Sequence, residues 1–150
     1  MTDAFEPDVP APDEVTAPWW DATREHRLVL QTCARCVREK RPAAQHPPRA
    51  LCVRCGSDEL DWVRSGGAGV VDSFTVVHRA PRPDLAVPYV IARVRLAEGV
   101  VLLTRLQGRE PDGWHIDDKV QVTWIDLDDG RALPVFVPDA PPSPETEKGS

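Results

Sequence analysis

Two cysteine couples limit this chain's fold more than any other feature: Cys33-x-x-Cys36, fifteen intervening residues, then Cys52-x-x-Cys55. Two residues between cysteines let one tight turn present both thiolates to a single ion, and a second such turn completes a tetrahedron. Four protein ligands leave no position for water or substrate, so the expected ion is a structural zinc. Gly56, directly after the second couple, suits the backbone bend that closes such a turn. Two disulfides or a redox pair are the rival readings. The opening MTDAFEPDVPAPDE is acidic and proline-rich, without the basic start and apolar middle of an export signal. A cytoplasmic location is therefore expected, where thiols stay reduced and this spacing reads as metal. No apolar run approaches the ~20 residues that would span a bilayer, and no membrane partner is expected.

The 16 prolines sit at both ends and in loops, which disfavours long helices and favours short strands with turns. Residues 1–15 and 139–150 have the Pro, Glu and Ser bias of flexible tails. Residues 16–65 read as a helix followed by a zinc ribbon. Thr16 is the expected N-cap and Pro18 lies in the first turn. Trp19, Trp20, Ala22 and Thr23 follow, with an end near His26. A strand over 28–32 leads into Cys33, residues 38–49 form the excursion between the couples, and a strand over 60–64 carries Trp62. Gly66, Gly67 and Gly69 mark a joint. Residues 66–138 then show five strand signals, over 70–77, 89–96, 100–106, 119–127 and 133–137. Asp128-Asp129-Gly130 reads as a hairpin turn. Mainly β, with five short strands, this unit suggests a five-stranded OB-fold barrel, although a small sandwich fits the same count.

The net charge of −6 is uneven: residues 1–21 hold six acids and no base, whereas residues 22–138 are near neutral. A nucleic-acid binder needs a basic excess, so no nucleic-acid partner is expected. No nucleophile elbow is present, and all the cysteines belong to the metal motif. Gly67-Ala68-Gly69 lacks the third glycine and the helix of a dinucleotide loop. His26, His46 and His115 read as exposed polar residues. His78 stands where a strand meets the proline-rich loop, and is either a ligand contact or an ordinary strand-end histidine. Along 89–96, Val90, Ala92, Val94 and Leu96 alternate with Tyr89, Ile91, Arg93 and Arg95, which gives one core face and one basic face. Arg105 on the next strand can join that stripe, which would meet phosphates or acidic side chains, or else simply be solvated.

The runs PWWDATREHRLVLQTCARC, CVRCGSDELDWV, VVDSFTVVHRAP, PYVIARVRL and LPVFVP, in this order, resemble one family over about residues 17–138. It is the rubredoxin-like zinc ribbon and OB-fold family of acyl-CoA-associated proteins, long catalogued as a domain of unknown function. The resemblance implies a non-catalytic subunit that partners a thiolase-like protein and helps hold or channel an acyl-CoA. Among its settings, the aldolase that shortens steroid side chains looks most similar. It also implies a ligand region at Phe74, His78, Arg79 and Tyr89, to which the residues themselves add Trp19 and Trp20, read as exposed aromatics, and the stripe of Arg93, Arg95 and Arg105 as ligand or partner contacts. The excursion departs from the family, with His46 before the prolines where relatives usually carry an aromatic or aliphatic residue. A nucleic-acid-binding ribbon and barrel module is the competing function, and a free-standing enzyme is the third.

Overall fold

In the computed structural model, residues 9–139 are described. The chain runs α1 (Ala17–Thr23), β1 (Val29–Cys33), α2 (Ala34–Arg38), β2 (Ala44–Gln45), β3 (Leu60–Arg64), β4 (Ala68–Val77), β5 (Tyr89–Leu96), β6 (Val101–Leu106), a 3-10 turn (Pro111–Gly113), β7 (Lys119–Asp126) and β8 (Ala132–Pro138). β1 lies between β2 and β3 in a three-stranded antiparallel sheet, and the remaining strands close a barrel in the order β4-β5-β6-β8-β7. The contact that closes the ring is the parallel pairing of β6 with β8 at Leu106 and Phe136. Closure removes the free strand edges that a sandwich of five strands would leave. No helix among the described residues is long and apolar enough to cross a membrane.

The alternation along β5 does what its pattern demands: Val90, Ala92, Val94 and Leu96 are buried, while Arg93 and Arg95 face outward. β4 carries an irregularity between Val71 and Ser73, so that Asp72 is the extra residue of a bulge. The bulge turns Asp72 toward β5, where its carboxylate pairs with both Arg93 and Arg95. The outward stripe is therefore partly neutralised by its own sheet.

Two expectations for the N-terminal region need correction, the exposed tryptophans and a free segment just before the helix. Trp19 and Trp20 are not exposed: both are buried, in one continuous core with Leu28, Val29, Leu30 and the barrel residues Val71, Val94, Val120 and Phe136. α1 passes at Thr23 into a turn that closes at His26 (φ 56), where the Arg27 amide returns to the Ala22 carbonyl (3.0 Å). The Thr23 hydroxyl, donating to the Trp20 carbonyl (2.6 Å) and accepting from the Ala132 amide (3.1 Å), docks the helix end on β8. Thr16 is the N-cap residue, as expected, but its side chain makes no cap bond to the helix. Instead the Asp13 carboxylate accepts from the amides of Val15 (2.9 Å) and Thr16 (2.8 Å). These bonds with Thr16 hold the Asp13 carboxyl below its ordinary range. Val9 packs against the core and the Pro10 carbonyl accepts from Arg131 (2.8 Å), so residues 9–15 are placed against the molecule rather than free of it. The remainder of the expected tails, 1–8 and 140–150, lies outside the described residues.

At the joint, Glu98 accepts from the Ser65 hydroxyl (2.9 Å) and from the Gly66 amide (3.0 Å). Gly67 has φ +81, and a Cβ there would run into Val122. Only glycine fits the chain where it passes from the ribbon into the barrel.

Candidate metal centre and adjoining cavity

Cys33 ends β1 with extended backbone and Cys36 lies one turn into α2, so a strand-to-helix corner forms the first couple. Cys52 and Cys55 flank a tight turn whose Gly56 has φ +76 and whose amide returns to the Cys52 carbonyl (2.9 Å). The four Sγ atoms lie within 4.8 Å of one another, with three of the residues buried and Cys55 half-buried. Cys33 and Cys55 stand 3.6 Å apart and Cys36 and Cys52 3.8 Å. Tetrahedral zinc with ~2.3 Å Zn–S bonds sets sulfur neighbours about 3.8 Å apart. The cluster fits a metal ion, and all four cysteines are free rather than disulfide-bonded. Each couple also aims an amide at sulfur: Cys36 N–H at Cys33 Sγ and Arg54 N–H at Cys52 Sγ, both 3.4 Å. Such bonds stabilise thiolate. Those of the Cys55 and Arg54 amides lower the Cys52 thiol to about 6, whereas burial pushes Cys36 up to about 12.

The second feature is a cavity of about 390 Å³ on the outer face of β5 and β6, reaching β8 and walled on the ribbon side by Trp19 and His46. Tyr89, Ile91, Leu103 and Arg105 complete much of its lining. The Arg105 guanidinium lies over the Tyr89 ring, 4.4 Å from its centroid. A second groove, bounded by His46, Pro47, Arg93 and Leu103, adjoins it. Volume and lining suit a mainly apolar small-molecule group with cationic side chains at the margin.

Of the residues singled out from sequence, the fold thus brings Trp19, Tyr89 and Arg105 to one cavity and Arg93 to its edge. Arg95 lines a different groove with Gly69 and Lys119. Phe74 packs against the core, and His78 and Arg79 are exposed beyond β4, outside the cavity lining. Trp20 lies under Arg131, whose guanidinium is 4.4 Å from its ring centroid.

His46 is the residue that sequence reasoning misplaced. It is not an exposed polar group: its ring lies 5.9 Å from that of Trp19, and its Nδ1 is buried without a hydrogen-bond partner. Burial pushes its pKa down to about 4. The one available signal was its position, where an apolar side chain is usual. His26 is exposed as expected, but is fixed to Asp126 (2.6 Å) and stacked on Trp124.

Residues 62–124 match the family model described as ChsH2, C-terminal OB-fold domain. The chain is 40% identical over 132 residues to a probable enoyl-CoA hydratase alpha subunit of Thermomonospora curvata, covering 88% of this chain and 40% of that one. It is 37% identical to the 3-oxo-4,17-pregnadiene-20-carboxyl-CoA hydratase alpha subunit of Mycobacterium tuberculosis, covering 86% of this chain and again 40% of that protein. It therefore spans about two fifths of the length of these two relatives. Among solved structures, a chain of an Ltp2-ChsH2(DUF35) aldolase superposes with a TM-score of 0.77 at 39% identity, over 88% of this chain and 100% of that one. At 39% identity over the full length of that chain, this protein belongs to the DUF35/ChsH2 OB-fold family.

Proposed function

We propose that this protein is a non-catalytic accessory subunit of a thiolase-like acyl-CoA enzyme, an aldolase of steroid side-chain degradation. It binds that partner and helps position an acyl-CoA at a site the two share, while zinc on Cys33, Cys36, Cys52 and Cys55 has a purely structural role. The observation that carries this reading is the likeness, over the whole of its length, to a chain of the Ltp2-ChsH2(DUF35) aldolase. The side-chain inventory supports it. The thiols face one another, His46 is desolvated, and His78 and His115 are exposed and outside the cavity lining. Among the described residues no nucleophile stands against a base, so the bond-breaking groups belong to the partner.

The cavity offers apolar walls for the acyl or pantetheine portion, and Arg105 and Arg93 lie where phosphate charge can be met. Arg93 and Arg95 lie on one outward stripe but open onto different grooves. Mixing purified thiolase-like partner, this protein and a CoA thioester, with each omitted in turn, tests the proposal. Turnover is expected only from the complete mixture, and full turnover by the partner alone would refute it. Replacing Arg93 and Arg105 together with alanine should raise the complex's KM about tenfold or more, at ~1.5–3 kcal/mol per charge-assisted contact. Arg95→Ala should change it little.

A further inference from the structure

Two glutamine side chains beside the cysteine couples are almost fully buried: Gln31, two residues before Cys33, at 4% exposure and Gln45, between the couples, at 6%. A buried primary amide is retained only where its donors and acceptor are satisfied, and what these two satisfy is informative. Gln31 grips Arg49, donating to its carbonyl (2.9 Å) and accepting from its amide (2.8 Å). Gln45 donates to Gln31 Oε1 (2.8 Å) and to the Leu51 carbonyl (3.3 Å), and its Oε1 accepts from the Val53 amide (2.9 Å). Only this orientation of the Gln45 amide meets all three partners, because a flipped amide would set NH2 against the Val53 N–H.

Leu51 and Val53 are the residues on either side of Cys52. The Gln45 side chain thus holds the peptide groups before and after this cysteine and fixes the direction of its Cα–Cβ bond. We infer that Gln45 is a positioning residue for the cysteine site: it holds the second couple in the geometry that retains the metal. Gln31 anchors the loop at Arg49 and braces Gln45, but touches neither neighbour of Cys52. The inference rests on the zinc reading above. Groups behind metal ligands commonly change metal affinity by about 10–100-fold when removed.

The two glutamines are equally buried and differ in what they hold, which makes the test specific. Gln31→Met and Gln45→Met each fill the space with an apolar chain of similar length, so both should lower the melting temperature. Zinc content of the purified chain and its rate of transfer to a chromogenic chelator are then measured. Gln45→Met should release zinc at least about tenfold faster than wild type, and Gln31→Met within about threefold of it. Equal release from the two variants, whether fast or slow, would overturn the inference while leaving the metal reading intact. A wild-type chain that takes up no zinc would overturn both.

Discussion

Between Trp19 and Pro47, the His46 ring has lost most of its water and has gained no hydrogen bond at Nδ1 in return. Burial brings its pKa to about 4 from an ordinary 6.5, so the folded chain holds it neutral. Above pH 6.5 folded and unfolded chains both carry neutral imidazole. As pH falls from 6.5 towards 4 only the unfolded chain takes up the proton, and stability declines across that window. The full effect is at most about 3 kcal/mol, from the size of the shift. Denaturant melts at steps from pH 7 to pH 4 should show His46→Leu losing less stability than wild type, with metal content followed in parallel. Parallel curves would mean that this imidazole is not held neutral. The cysteines give a second residue-scale expectation. Cys33→Ser or Cys52→Ser should free the zinc and leave a protease-sensitive or insoluble chain, because a ribbon with so small a core folds on its metal. Full zinc retention by both variants would contradict the assignment.

At the scale of elements, the docking of α1 on the barrel departs most from what local patterns imply. A helix of seven residues is too short to persist alone, so its packing sustains it. Three long-range ties hold it down: Thr23 to the Ala132 amide, Arg24 to the Asp129 carbonyl (2.8 Å), and Arg131 over Trp20. Arg131, itself buried, also reaches the Pro10 carbonyl, so the segment before the helix shares in this tie. Deleting residues 1–14 should therefore lower the melting temperature by roughly 5 °C, since it removes a charge-assisted bond, the Asp13 turn and the Val9 contact. Differential scanning of the full and shortened chains decides the matter. An unchanged midpoint would show that these contacts contribute nothing.

For the molecule as a whole, the main core runs from Leu28, Val29 and Leu30 of the ribbon side into the barrel, beside a small second cluster around the cysteines, and the cavity lies where ribbon and barrel meet. A ligand held there touches both units. The charge balance bears on the competing function. With a net charge of −6, and with Arg95 closely paired to Asp72, few cations are placed to neutralise a phosphate backbone. Titration with labelled single-stranded DNA or RNA near physiological salt should show no appreciable binding. Micromolar affinity with a steep salt slope would favour the nucleic-acid module instead.

Local patterns of residues settle whatever is written in short repeats of backbone geometry. The spacing of Cys33, Cys36, Cys52 and Cys55 encodes two turns that each need only a few residues. The alternation along β5 assigns its inner and outer faces wherever the strand is placed. Gly130, with φ +94, marks a hairpin that its neighbours specify. Tertiary structure alone decided the rest. Thr23 finds its partner 109 residues away, His26 finds Asp126 at a distance of 100, and Arg131 finds Pro10 at 121. No local pattern carries such pairings, so Trp19 and Trp20 read as exposed until β8 covered them. The same holds for Asp72, which reaches two arginines only because a bulge turns it toward them. It holds too for His46, whose chemistry depends on desolvation, a property conferred by the groups packed around it.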